Sequence, residues 1–271
     1  MEEKVRVLYV TQNITPYLKE SPMGKIGRFL PQGIQERGME IRTFMPRFGS
    51  INERRNQLHE VIRLSGMNLI IDDSDHPLII KVASIQAARM QVYFIDNEDF
   101  FHRKFVFHDK GGKFFKDNDE RAIFFVRGVL ETVKKLGWPP DIIHCHGWMA
   151  SLLPAYVRKV YHENPVFSES KIVYSLYDDG FADKLNAGMA SKAFFEGLGK
   201  KDLPHLEGTP GHAELLKTAI DYSDAIIYGG EGIDPAISQY AEASGLPVLP
   251  IQGEEEYIEA YAGFYDNILG R

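Results

Sequence analysis

The sequence predicts an α/β fold: a doubly wound, mostly parallel sheet with a β-meander insertion. Three observations point there. The chain opens on a continuous apolar and β-branched run, residues 5–11 (VRVLYVT), the pattern of a strand buried on both faces. Short runs of this kind alternate with segments of helical periodicity along most of the 271 residues, as βαβ units do. Connections are short, and no fixed-period repeat, long linker or low-complexity tract intervenes. A single domain over 1–271, with an insertion at about 67–116, is therefore expected.

After the first strand comes a loop, 12–24, holding Pro16 and Pro22. Residues 25–37 place Ile26, Phe29, Leu30 and Ile34 at helical spacing, and Gly38 stops that helix. Residues 40–45 (EIRTFM) read as the next strand. Residues 50–66 carry a helix-like charge pattern, so a helix is expected there. Three runs follow, 67–72, 78–83 and 88–96, separated by Asp-Asp, His-Pro and Gln-Ala breaks; they read as the meander. Residues 98–116, rich in Phe, His and Lys, read as a surface loop with one short helix. Residues 118–136 form an amphipathic helix with Ile123, Val126, Val129, Leu130 and Val133 on one face and Gly137 at its end. A strand (141–145) and a helix (148–162) come next, then a strand (171–177) and an irregular, Gly-rich stretch (178–210). The chain closes with a helix (211–222), a strand (225–228), a helix (235–243), a strand (247–251) and an aromatic-rich helix (254–269).

Composition narrows the function. Lys plus Arg is 31 against 38 Asp plus Glu, a net charge of −7. An acidic chain lacks the basic stripe that phosphate backbones require, so no nucleic-acid partner is expected. No run reaches about 18 apolar residues, so no membrane partner is expected either. A single cysteine fits a reducing compartment. The start, Met-Glu-Glu-Lys, lacks the basic region and long apolar core of a secretion signal. A cytoplasmic protein is the expectation.

In open parallel sheets ligands bind beyond the carboxyl ends of the strands. Four loops qualify: 13–27, 144–148, 177–180 and 229–232. The first has Gly24 and Gly27, neither a dinucleotide fingerprint nor a phosphate-binding P-loop. His144 and His146 share one face of their strand and Cys145 points to the other. No further ligand follows at metal-site spacing, so no metal is expected. His146 and Trp148, just past the strand, are candidates for ligand contact. For Trp148, a packing role at the helix start is the competing reading. Asp178-Asp179 suggests an acid/base pair or a solvated turn. Gly229-Gly230-Glu231-Gly232 has the form of an anion nest, with Glu231 opposing an anion.

Several stretches together resemble the N-terminal domain of bacterial glycogen synthases and plant starch synthases. VRVLYVTQNITPYLK resembles the family's opening strand and lysine-bearing loop, and MQVYFIDNEDFFHR its "FIDxPxFxxR" segment. KDNDERAIFFVRGVLETV resembles "xDNxxRFxxFxxAxLE", and DIIHCHGWMASLLPAYVR resembles "DVVHxHDWHxxLxPxYL". YSDAIIYGGEGI stands in the place of "xADxxxTVSPxY". The resemblance implies one Rossmann-like half of a GT-B glycosyltransferase, the acceptor-side half, without the second domain. It implies a family reaction of glucosyl transfer from ADP-glucose to an α-1,4-glucan. ADP-glucose would be a donor substrate, and no resident cofactor is implied. Lys19 would contact the donor phosphate, and His146, Trp148, Tyr177 and Asp178 the substrate. No residue is assigned a catalytic role. α-Glucan or maltooligosaccharide is the expected partner, with a homo-oligomer or a partner glycosyltransferase chain as further possibilities.

The departures from the family pattern are specific. The family's Gly-Gly after the loop lysine is replaced by a segment containing Ser21-Pro22, which adds bulk and removes an N–H. The family's "HDWH" reads His146-Gly147-Trp148-Met149, without its carboxylate. The histidine of "TVHN" is Tyr177. These changes predict a chain that is inactive in isolation. The alternative is a non-catalytic glucan-binding, regulatory or structural subunit.

Overall fold

The computed structural model describes residues 4–271. Among these, ten strands and eight α-helices follow in order: β1 (Arg6–Thr11), α1 (Pro22–Glu36), β2 (Glu40–Pro46), β3 (His59–Glu60), β4 (Met67–Ile71), β5 (Ser74–Ile85), β6 (Met90–Asp96), α2 (Glu98–Phe101), α3 (Asn118–Leu136), β7 (Ile142–His146), α4 (Leu153–Lys159), β8 (Lys171–Leu176), α5 (Met189–Ala193), α6 (His212–Asp221), β9 (Ala225–Tyr228), α7 (Pro235–Ala243), β10 (Val248–Leu249) and α8 (Tyr257–Leu269). The sheet runs β10-β9-β8-β7-β1-β2-β6-β5-β3, with β4 hydrogen-bonded to β5. From β10 to β6 every pairing is parallel; β5 pairs antiparallel with β3, β4 and β6. The mostly parallel sheet expected from the sequence is present, and the last run of the meander belongs to its parallel part. From β1 the chain winds outward through β2, then returns to build β7 to β10 on the other side. The switch point therefore lies between β1 and β7, where ligands of such sheets bind.

Helices cover both faces. On one, α3, α4 and α6 bury Leu8, Val10, Phe44, Ile143, Cys145 and Tyr174 in the larger core. On the other, α1 and α8 cover Val7, Tyr9, Ile142, Val173 and Ile227. Helix α3 has the predicted bounds; its C-cap Gly137 adopts a left-handed φ of 60°, a conformation that favours glycine. Helix α1 starts earlier than the periodicity suggests. The Ser21 hydroxyl accepts from Gly24 N, and Pro22 fills the first turn, where its missing N–H costs nothing.

Four expectations are corrected. Residues 50–66 form turns and the two-residue strand β3 rather than a helix. Their charges surround no apolar stripe; Ile51 and Leu64 alone are buried deeply. Strand β5 begins at Ser74, in a hairpin that pairs Ile71 with Ser74 across Asp72-Asp73, so the polar start read as a break is an edge-strand segment. The helix expected over 148–162 is a 3-10 turn, Trp148–Ala150, followed by α4. Pro154 lacks the N–H that a continuous helix would need. The aromatic run 100–115 is largely core. Phe100, Phe101 and Phe114 are buried; Phe48, Phe101 and Phe115 lie against the Arg121 guanidinium, which donates to the carbonyls of Phe100 and Val106, each at 2.7 Å. Burial pushes the Arg121 pKa down to about 9. Among the described residues no helix is long and apolar enough to cross a membrane.

Candidate functional site at the carboxyl edge

The switch point is built from the ends of β1, β7 and β8. Beyond β1, Gln12 turns its amide across the edge. Its Oε1 accepts from Met149 N at 3.0 Å and its Nε2 donates to Asp179 Oδ2 at 3.2 Å. Beyond β7 the backbone takes φ +82° at Gly147, where a Cβ would stand 2.5 Å from Gln12 Cδ. Glycine is required there twice over, by the left-handed backbone and by the glutamine packed against it. The volume in which a side chain at 147 would lie is occupied by Gln12.

Asp179, beyond β8, is the carboxylate that organises this edge. It accepts from Gln12 Nε2 and, at 2.9 Å, from Trp148 N, while its other oxygen lies 2.9 Å from His212 Nε2 at the start of α6. Asp178 is exposed; its carboxylate lies beside Gly232.

His146 and Tyr177 are brought together: His146 Nδ1 lies 2.8 Å from the Tyr177 hydroxyl, and both side chains are buried. The Tyr177 ring presses on Gly229, where a Cβ would stand 2.4 Å from its Cζ. The other imidazole nitrogen, His146 Nε2, is buried without a hydrogen-bond partner. His144, its ring centre 3.9 Å from that of His146 and tilted by 36°, has both nitrogens engaged, by Tyr265 of α8 at 2.6 Å and by Ser175 at 2.7 Å. The Tyr265 hydroxyl also lies 3.3 Å from that of Tyr9, which ties His144 to β1 through α8. Burial holds both imidazoles neutral. Burial lowers the His146 pKa to about 3; burial first, and then the neighbouring His146, hold His144 well below the usual range. Burial also raises the Tyr177 hydroxyl far above its ordinary value. None of these groups is poised to exchange a proton near neutrality.

Trp148 does not join them. It is 1% exposed and packs among Phe107, Phe114 and Phe181, at ring separations of 4.9, 6.4 and 5.0 Å. Its expected part in ligand contact gives way to packing. Lys19 is exposed on a loop that Asn13 braces through Lys19 O and Ser21 Oγ. The nearby start of α1 has little left for an anion, since Gly24 N is capped by Ser21 and Pro22 has no N–H.

Open space lies farther along the same edge. A cavity of about 800 Å³ separates the start of α1 from the ends of β9 and β10 and the start of α8. Lys25, Phe29, Tyr228, Ile251, Tyr257 and Tyr261 line it. Phe29 and Ile251 are each 47% exposed, so the cavity has an apolar wall facing solvent. Lys25 is paired with Glu20 at 3.2 Å and Glu254 at 3.9 Å, and Glu231 also borders the space. That charge pattern suits a neutral ligand better than a phosphate. Sequence reasoning missed Gln12, His212 and the α8 tyrosines as parts of this region. Gly147, standing where the resembled pattern HDWH has its aspartate, was the available signal for Gln12.

Comparison with known proteins matches this architecture. A glycogen synthase of Chlorobium limicola is 37% identical over 235 residues, 83% of this chain and 48% of the relative. A glycogen synthase of Pelodictyon phaeoclathratiforme is 32% identical over 244 residues, 87% of this chain and 48% of the relative. The catalytic domain of starch synthase IV from Arabidopsis thaliana, solved bound to ADP and acarbose, superposes with a TM-score of 0.70 at 17% identity, over 93% of this chain and 52% of that one; the likeness is one of fold. The chain spans about half the length of the curated relatives it matches. The family model of the starch synthase catalytic domain covers residues 6–231, and the chain belongs to that family.

Proposed function

We propose that the chain serves glucan biosynthesis as a member that binds α-glucan and does not itself transfer glucose. One observation carries this reading: the carboxyl edge at the switch point is filled from within. Gln12 occupies the space above Gly147, and Tyr177 lies on His146 and against Gly229. Glucosyl transfer from ADP-glucose requires groups aimed at the developing charge on the departing diphosphate. Buried neutral imidazoles and an exposed Lys19 do not supply that arrangement. The neighbouring cavity has the size of a small-molecule site, and its aromatic walls with polar edges suit maltooligosaccharide stacking. Where transfer is needed, a partner glycosyltransferase chain would perform it, in the cytoplasm.

Two assays test the reading. The purified chain, supplied with ADP-glucose and maltoheptaose, is expected to give no chain elongation. Calorimetric titration with maltoheptaose is expected to show saturable binding that Phe29→Ala weakens about tenfold. Robust elongation by the chain alone would overturn the non-catalytic half, and absence of binding the glucan half.

A further inference from the structure

At the opposite, amino edge of the sheet a second cavity, about 440 Å³, lies between the start of β2, the end of β5 and the hairpin that leads into β6. Arg42, Arg89, Ser84, Gln86 and Gln91 contribute to its wall. Arg42 is held in place: its Nη1 donates to the Tyr93 hydroxyl at 2.8 Å, and its guanidinium lies 5.0 Å over the Trp138 ring. Its Nε is buried with no hydrogen-bond partner. The one carboxylate lining the cavity, Glu40, is committed elsewhere: it accepts from Trp138 Nε1 at 2.6 Å and pairs with Arg6 at 3.8 Å. Among the described residues no carboxylate forms an ion pair with Arg42 or Arg89. In a chain of net charge −7, two arginines facing one cavity whose single carboxylate is engaged by Arg6 and Trp138 are a local reversal of sign.

Guanidinium groups present forked donors matched to phosphate and carboxylate oxygens. Two of them favour a dianion, and a phosphate monoester carries a charge of about −2 at neutral pH. The cavity is larger than a phosphoryl group needs. Its remaining wall offers the amides of Gln86 and Gln91 and the Ser84 hydroxyl, donors and acceptors suited to the hydroxyls of a sugar. We propose that this cavity binds a small phosphate monoester of the sugar-phosphate class, with the phosphoryl group held by Arg42 and Arg89 and the polyol against the glutamine amides. The site lies at the other end of the strands from the glucan cavity, so it does not depend on the glucan reading.

The test is calorimetric titration of the full chain with glucose 6-phosphate, inorganic phosphate and glucose. Saturable binding of glucose 6-phosphate, weaker binding of inorganic phosphate and none of glucose is the expected pattern. Affinity is expected to rise between pH 5 and 7 as the phosphoryl group takes its second charge. Arg89→Ala, at an exposed position, is expected to weaken binding about tenfold or more without changing the melting temperature. Arg42→Gln, with its melting temperature checked alongside, is expected to do the same. No binding of the monoester, equal affinity for inorganic phosphate, or unchanged affinity in Arg89→Ala would each overturn the proposal.

Discussion

The two faces of the sheet solve burial differently. Beneath α3, α4 and α6 the strands present Leu8, Val10, Phe44, Ile143, Cys145 and Leu176, an apolar layer that needs no partners beyond packing. Beneath α8 the same strands present Tyr9, His144, His146, Ser175 and Tyr177, whose polar atoms must be satisfied one by one. Helix α8 meets that need with Tyr265, whose hydroxyl reaches both His144 and Tyr9. The apolar face is held by packing alone, and the polar face by packing and paired polar groups that burial keeps neutral.

The largest expected effect sharpens that contrast from the apolar side. Trp148→Ala removes a side chain enclosed by Phe107, Phe114 and Phe181. A loss of about 3–5 kcal/mol of stability is expected from the cavity left behind, measured by chemical denaturation. If Trp148 were a ligand platform, stability would hold and maltoheptaose affinity would fall instead. The second effect acts at the boundary between the faces. Gly147→Asp places a side chain where the backbone has φ +82° and Gln12 already lies. Strain and overpacking together predict a loss of about 3 kcal/mol, partly recovered in the double variant with Gln12→Gly. A fully stable Gly147→Asp protein would show that Gln12 moves aside freely, and that the edge is less closed than its contacts indicate.

Legibility in the sequence follows the same division. Helix α3 and strands β1, β7 and β8 were readable because burial against an apolar face leaves a period in the chain. The hairpin start of β5 and the turns over 50–66 were not, because hydrogen bonds to distant partners set them. Glu53, for example, lies 2.7 Å from Lys81 of β5. Within the site, the sequence puts His146 and Tyr177 at two strand–loop junctions, and the pairing of β7 with β8 brings them together. The pairing of His144 with Tyr265 joins residues 121 apart in sequence and depends on how α8 docks, which local pattern does not encode. For Trp148 the sequence leaves ligand contact and packing open, because a position beyond a strand end suggests solvent; after the left-handed turn at Gly147 its side chain lies among Phe107, Phe114 and Phe181.

The smallest expected effect tests whether the polar face is held neutral. In the unfolded chain a histidine takes up its proton near pH 6.5; in the folded protein His146 does so only near pH 3. Between those values the unfolded state binds more protons, so stability is full above about pH 6.5 and falls progressively as pH drops toward 3. At pH 5 the unfavourable term from His146 is about 2 kcal/mol, at 1.36 kcal/mol per pH unit; His144, lowered in the same direction, adds to it. Carboxylates in the unfolded chain titrate near pH 4, so a comparison of pH 6.5 with pH 5 isolates the imidazoles from most of them. Denaturation midpoints measured at the two values should fall for the natural protein and fall less for His146→Gln, which keeps a polar group facing Tyr177 without a proton to gain. Equal slopes in the two proteins would mean that His146 titrates normally and is reached by water. The edge would then be open to solvent, and the contrast between a packed face and a closed site would have to be withdrawn.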